Sequence, residues 1–149
     1  MKTALMAFIL LLALHMIAQP APNDESHGSF RVVDIYLDSK GASLAAYQVT
    51  ISVTNADAKI VGIEGGEHQA FRQPPVYDPR AMQRERVIIA AFNTGSANEL
   101  PNGKTRVATI HFQTHSNKPL QCIVNPNTAG NPDGTKIAVQ ATWEERKNK

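Results

Sequence analysis

The chain is predicted to be all-β, an antiparallel sandwich of about seven to nine strands with jelly-roll character. Three observations carry this. Apolar residues alternate with polar ones over short segments, turn-forming residues separate those segments, and no stretch after the first twenty residues has the spacing of a long amphipathic helix.

The first segment is different in kind. Lys2 is followed by 11 unbroken apolar residues from Ala4 to Leu14, then Ala18 and the polar, proline-marked Gln19 to Glu25. That pattern is a signal peptide over residues 1–18, with cleavage after Ala18 or as late as Ala21. It is too short to cross roughly 30 Å of hydrocarbon, which takes about 20 residues. The mature chain is therefore expected to carry no transmembrane segment and to be secreted, periplasmic or on the cell surface. Residues 19–29 form a polar lead, 30–143 the single domain, and 144–149 a charged, frayed tail.

Within the domain, Val33, Ile35 and Leu37 alternate with Asp34 and Tyr36, and Ser39-Lys40-Gly41 turns the chain. Tyr47, Val49, Ile51 and Val53 then face one way and Gln48, Thr50, Ser52 and Thr54 the other. A turn at Asn55-Ala56-Asp57 leads to a short strand from Lys59 to Glu64, and Gly65-Gly66 is expected to use positive φ. From Glu67 to Glu85 periodicity vanishes and Pro74, Pro75 and Pro79 appear. Structureless loops of about 15 residues or more usually bind something, so this one is a candidate contact surface. Ala81 to Arg86 contains good helix formers and is expected to add a turn of helix. Val87 to Phe92, apolar throughout, reads as a central strand covered on both faces.

Asn93 to Gly103 is a second loop. Ala108, Ile110 and Phe112 alternate with Thr109, His111 and Gln113, and Leu120 to Val124 is a further strand. Asn125 to Gly134, crowded with Asn, Pro and Gly, reads as a long turn. The last strand is placed at Lys136 to Trp143, with Ile137, Val139, Ala141 and Trp143 toward the core. Tyr47, Phe92 and Phe112 are also expected in the core.

Composition narrows the function. With 15 Lys and Arg against 13 Asp and Glu, the net charge is +2, and +1 once Lys2 leaves with the signal. So balanced a chain makes no electrostatic case for nucleic acid. Its single cysteine, Cys122, excludes an intrachain disulfide, and its apolar surroundings suit a buried, inert thiol. No Asn-x-Ser/Thr sequon is present.

No reaction is written in the motifs. His111 and His115 would share a strand face about 13 Å apart, too far to chelate one ion. His27 lies in the lead, and Glu64, Glu67 and His68 read as an exposed polar loop. Asp34, Asp38, Asp57, Glu64, Asp78 and Glu85 are available as carboxylates, but no spacing pairs them for acid–base chemistry. Ser96, between Gly95 and Ala97, lacks the second glycine of a nucleophile elbow. Asn125 to Gly134 has one carboxylate, Asp133, and reads as a turn before a calcium loop. No catalytic residue, metal or cofactor is expected. Tyr36, Phe71, Tyr77, Asp78 and Arg80 are the candidates for contact with a protein partner or a sugar.

The order of features resembles a cohesin module, the β-sandwich that docks enzymes onto extracellular scaffolds, and its relatives among carbohydrate-binding modules. The resemblance rests on Val33 to Asp38, Ala45 to Ile51, Ile60 to Gly66, Arg86 to Phe92 and Leu100 to Phe112, and covers roughly residues 30–143. The Tyr-Asp-Pro sequence that cohesins carry after the second of these is here Thr54 to Asp57, while Tyr77-Asp78-Pro79 comes later, so dockerin-contacting positions are not carried over. With one module and no duplicated Asp-x-Asn-x-Asn loops, the chain is similar to stand-alone cohesin-like proteins of bacteria. The resemblance implies a secreted, non-catalytic module that holds a dockerin-like or other secreted protein, in polysaccharide degradation or surface assembly, with polysaccharide binding as the alternative and an enzyme without recognisable motif as the third reading.

Overall fold

The computed structural model describes residues 28–54, 57–116 and 118–147. The expected signal peptide, His27, most of the polar lead, Asn55 and Ala56 lie outside the described residues. The rest is an all-β sandwich of eight strands: β1 (Ser29–Asp38), β2 (Ala46–Val53), β3 (Lys59–Gly65), β4 (Val76–Tyr77), β5 (Arg86–Phe92), β6 (Lys104–Thr114), β7 (Cys122–Gly130) and β8 (Gln140–Glu145). The first sheet has the order β3-β6-β1-β8 and the second β4-β5-β2-β7, every pair antiparallel.

Alternation decides which side chains meet between the sheets. Val33, Ile35 and Leu37 of β1, Ile110 and Phe112 of β6, Tyr47, Val49 and Ile51 of β2, and Val87 and Ile89 of β5 are all buried in one cluster. Each large aliphatic side chain fully withdrawn from water contributes about 1.5–3 kcal/mol, so this cluster supplies the main drive for folding. Tyr47 ties the layers together, donating from its hydroxyl to the Val107 carbonyl at 3.1 Å, with Phe71 edge-on at 5.2 Å between ring centroids.

Several expectations are corrected. Asn125 to Gly130 is strand, paired with β2. Its turn-like composition is tolerated because β7 is an edge, where Pro126 costs no ladder bond, and a bulge opposite Gln48/Val49 accommodates the extra residue. The final strand begins at Gln140, although Ile137, Val139, Ala141 and Trp143 do all pack on the core. The tail is not frayed from Glu144: β8 continues through Glu145, and the Arg146 amide donates to the Val32 carbonyl at 2.8 Å.

Gly65 and Gly66 have no positive φ; that conformation belongs to Gly41 and Gly134. Crowding explains them, since a Cβ on Gly65 would lie 2.0 Å from the Arg72 carbonyl oxygen and one on Gly66 2.3 Å from that of Arg106. Residues 67–85 are organised by single 3-10 turns at Gln69–Phe71 and Pro79–Ala81 and by β4. The turn of helix expected at Ala81 to Arg86 does not form, because the 3-10 turn starts earlier at Pro79 and Gln83 takes φ of 64°.

Candidate functional site

The contact candidates do not converge. Phe71 is a core residue, 2% exposed, and is withdrawn as a contact: the 3-10 turn capped by His68 drives its ring against Tyr47. Tyr77 lies in β4 opposite Ile89 and packs on the core. Asp78 and Arg80 are exposed and engage each other, with Arg80 Nη2 2.9 Å from Asp78 Oδ2. Tyr36 sits on the outer face of the other sheet, where Lys104 Nζ lies 4.4 Å from its ring centroid.

That outer face of β3-β6-β1-β8 is closed by its own charges. Asp34, 7% exposed, accepts from Thr109 Oγ1 at 2.7 Å and from Arg146 Nε and Nη2, each at 2.7 Å. Arg106 Nη1 donates to Thr109 Oγ1 at 2.7 Å. Burial alone would raise the Asp34 pKa; the hydrogen bonds from Arg146 and Thr109 and the charges of Arg146 and Arg106 outweigh it, and the carboxyl titrates below its usual range. Beside this group, His111 Nε2 lies 2.9 Å from Glu64 Oε1, and Lys104 pairs with Glu144 at 2.8 Å.

The outer face of β4-β5-β2-β7 is polar along β2, where Gln48, Thr50 and Ser52 stand and Thr50 bonds Asn127, and apolar along β4 and β5. Ile88, Ala90 and Phe92 follow one another at strand period along β5, and Val76 of β4 lies directly opposite Ala90. Val76 is 74% exposed and Phe92 75%, with Ile88 and, across the sheet, Ile123 also exposed. The expectation that Val87 to Phe92 is covered on both sides, with Phe92 in the core, is therefore overturned. In a two-layer sandwich only one face of a sheet meets the other layer, so Val87 and Ile89 are buried while their alternate neighbours face outward. The run carries no polar residue on either parity, so the sequence does not tell its two faces apart. Arg86 continues the same row, with Arg84 and the Asp78–Arg80 ion pair near it, so the apolar row ends on a net positive charge.

The remaining carboxylates are dispersed, each with its own partner: Asp38 with Lys40, Glu85 with Lys59, and Asp57 with the His115 amide. Ser96 caps a 3-10 turn reciprocally with Glu99. Asp133 accepts from the Thr135 amide within the 131–135 turn. Among the described residues no three His, Cys, Asp or Glu side chains gather as a metal site, and no helix is long and apolar enough to cross a membrane.

No protein-family model matches the chain, and comparison with curated proteins and with solved structures likewise finds no significant match.

Proposed function

We propose that the chain is a secreted, non-catalytic recognition module, cohesin-like in its architecture, that holds a protein partner on the outer face of β4-β5-β2-β7. The observation that carries this reading is the outward apolar row Val76, Ile88, Ala90 and Phe92. Contiguous apolar surface of this kind costs free energy in water and usually marks an interface. The basic end at Arg84 and Arg86 favours a partner with an apolar ridge ending in acidic residues, which would steer the encounter and set its direction. Such a contact would bury on the order of 800 Å² per partner. The signal-like leader supports an extracellular setting, and a dockerin-like helical module or another secreted protein fits the surface.

The test is capture of secreted proteins by the immobilised protein, with identification of what is retained. A single partner held stoichiometrically is expected, lost on Ile88→Arg and kept on Tyr36→Ala. Equal retention by wild type and Ile88→Arg overturns the reading.

A further inference from the structure

Between the 3-10 turn at Ala97–Glu99 and β6, the chain crosses from the second sheet to the first through Leu100-Pro101-Asn102-Gly103. Leu100 and Pro101 are buried, and Asn102 is exposed to water. We propose that Asn102 and Gly103 form a self-modifying site, where the asparagine converts in water to aspartate and isoaspartate, and that the isoaspartate form releases this loop from the connection between β1 and β2.

The reaction needs a backbone amide that can reach the carboxamide of the residue before it. The Gly103 nitrogen gives its proton to hydroxide and attacks Asn102 Cγ; the N–Cγ bond forms, the Cγ–Nδ2 bond breaks, and Nδ2 leaves as ammonia with a proton taken from water. Water then opens the cyclic succinimide, at Cγ to give aspartate or at the Asn102 main-chain carbonyl carbon to give isoaspartate. Nothing is oxidised or reduced.

The structure leaves that path open here. The Gly103 amide and the Asn102 carboxamide engage no partner among the described residues, so no hydrogen bond has to break before the nitrogen attacks. Gly103 has no Cβ to obstruct ring closure, and the space beside it is empty, since even an added Cβ would meet nothing within 4 Å. The other described asparagines lack this combination. Asn125 and Asn131 precede prolines, which have no amide hydrogen. Asn93 is held at both ends of its carboxamide, with Nδ2 on the Ala70 carbonyl at 3.1 Å and Oδ1 on the Gly95 amide at 2.8 Å. Asn127 accepts from Thr50 Oγ1 at 2.9 Å, and after Asn98 the Glu99 amide is engaged by the Ser96 carbonyl at 2.9 Å. Asp133-Gly134 has the sequence for the related loss of water, but its Gly134 amide donates to the Asn131 carbonyl at 3.0 Å.

The site matters because of what flanks it. The Pro101 carbonyl accepts from the amide of the fully buried Leu44 at 2.8 Å, and the Gly103 carbonyl from the Ser39 amide at 3.3 Å. Those two bonds clamp residues 39–45, which join β1 to β2, onto this loop. Isoaspartate routes the main chain through the side chain and lengthens it between the two carbonyls by one bond of about 1.5 Å, so both contacts cannot persist. Aspartate adds the charge without the extra bond.

The experiment incubates the purified protein in neutral and in mildly alkaline buffer and follows the tryptic peptide of residues 87–104 by mass spectrometry, with isoaspartyl methyltransferase labelling to count isoaspartate. Replacement of the amide NH2 by OH is expected at Asn102 at least about tenfold faster than at Asn93 or Asn98 of the same peptide, and faster in the alkaline buffer. Gly103→Ala should slow it by about tenfold or more. The isoaspartate fraction should melt about 3 °C or more below fresh protein, whereas Asn102→Asp, made directly, should melt with it. Conversion at Asn102 no faster than at Asn93 or Asn98, equal rates in wild type and Gly103→Ala, or an isoaspartate fraction that melts with fresh protein would overturn the proposal.

Discussion

The guanidinium of Arg146 grips the carboxylate of Asp34 through two hydrogen bonds of 2.7 Å, joining residues 112 positions apart. This contact holds the end of the described chain on the outer face of the first sheet. It also places a charge-paired carboxylate where water barely reaches. Replacing Asp34 by Ala leaves two guanidinium groups without their shared acceptor and is expected to cost about 3 kcal/mol. Arg146→Ala, at a half-exposed position, should cost about 1–2 kcal/mol. Chemical denaturation of both variants measures the difference.

Acid should act through the same residue. The Asp34 pKa is lower in the folded chain than in the unfolded one. Its contribution to stability is therefore complete above the unfolded value of about 3.9 and is lost as pH falls through the folded value. Melting temperature followed from pH 7 downward should fall below about pH 4, and Asp34→Asn should flatten that acid limb. An identical pH profile in the variant would remove Asp34 from the explanation.

The cross-layer bond of Tyr47 can be weighed alone. Phenylalanine preserves the ring against Phe71 but leaves the buried Val107 carbonyl without its donor. Tyr47→Phe is expected to lose about 1–2 kcal/mol in urea unfolding, with little change in slope.

Two glycines, Gly65 at the end of β3 and Gly103 just before β6, should behave oppositely. Gly65→Ala forces a Cβ into the Arg72 carbonyl oxygen and should cost at least about 2 kcal/mol. Around Gly103 a Cβ meets nothing within 4 Å, so Gly103→Ala should stay within about 0.5 kcal/mol of wild type. Thermal melts of the pair decide it.

Cys122 should resist thiol reagents while the protein is folded. Burial, with a smaller contribution from the Glu145 charge, pushes its pKa up to about 12. At pH 8 only about one thiol in ten thousand is then ionised, and modification in native buffer should run at least about a hundredfold slower than in denaturant. A native rate equal to the denatured one would contradict this.

The inner face of the sandwich is legible from alternation, since a buried position every second residue is a local pattern, and Val33 to Leu37, Tyr47 to Val53 and Ala108 to Phe112 show their orientation in this way. What was not legible depends on neighbours distant in sequence. Asn125 to Gly130 looks like a turn until β2 is seen beside it, and Phe71 looks like loop until Tyr47 is seen beneath it. Phe92 reads as core in the sequence because an apolar run shows no polarity with which to tell its faces apart. The bond from Asn93 to the Ala70 carbonyl needs two loops to meet, and no spacing within either one announces the other.

Pro126 has a consequence for how copies of this chain behave when crowded. A lateral strand with a full set of free amides is a template on which another molecule can extend the ladder. Here one flank of the second sheet is only two residues long, and the other is interrupted by a residue with no amide hydrogen and by the kink beside it. Fibre-like growth from that sheet is thereby discouraged at both flanks, leaving its broad side as the place where another molecule can settle.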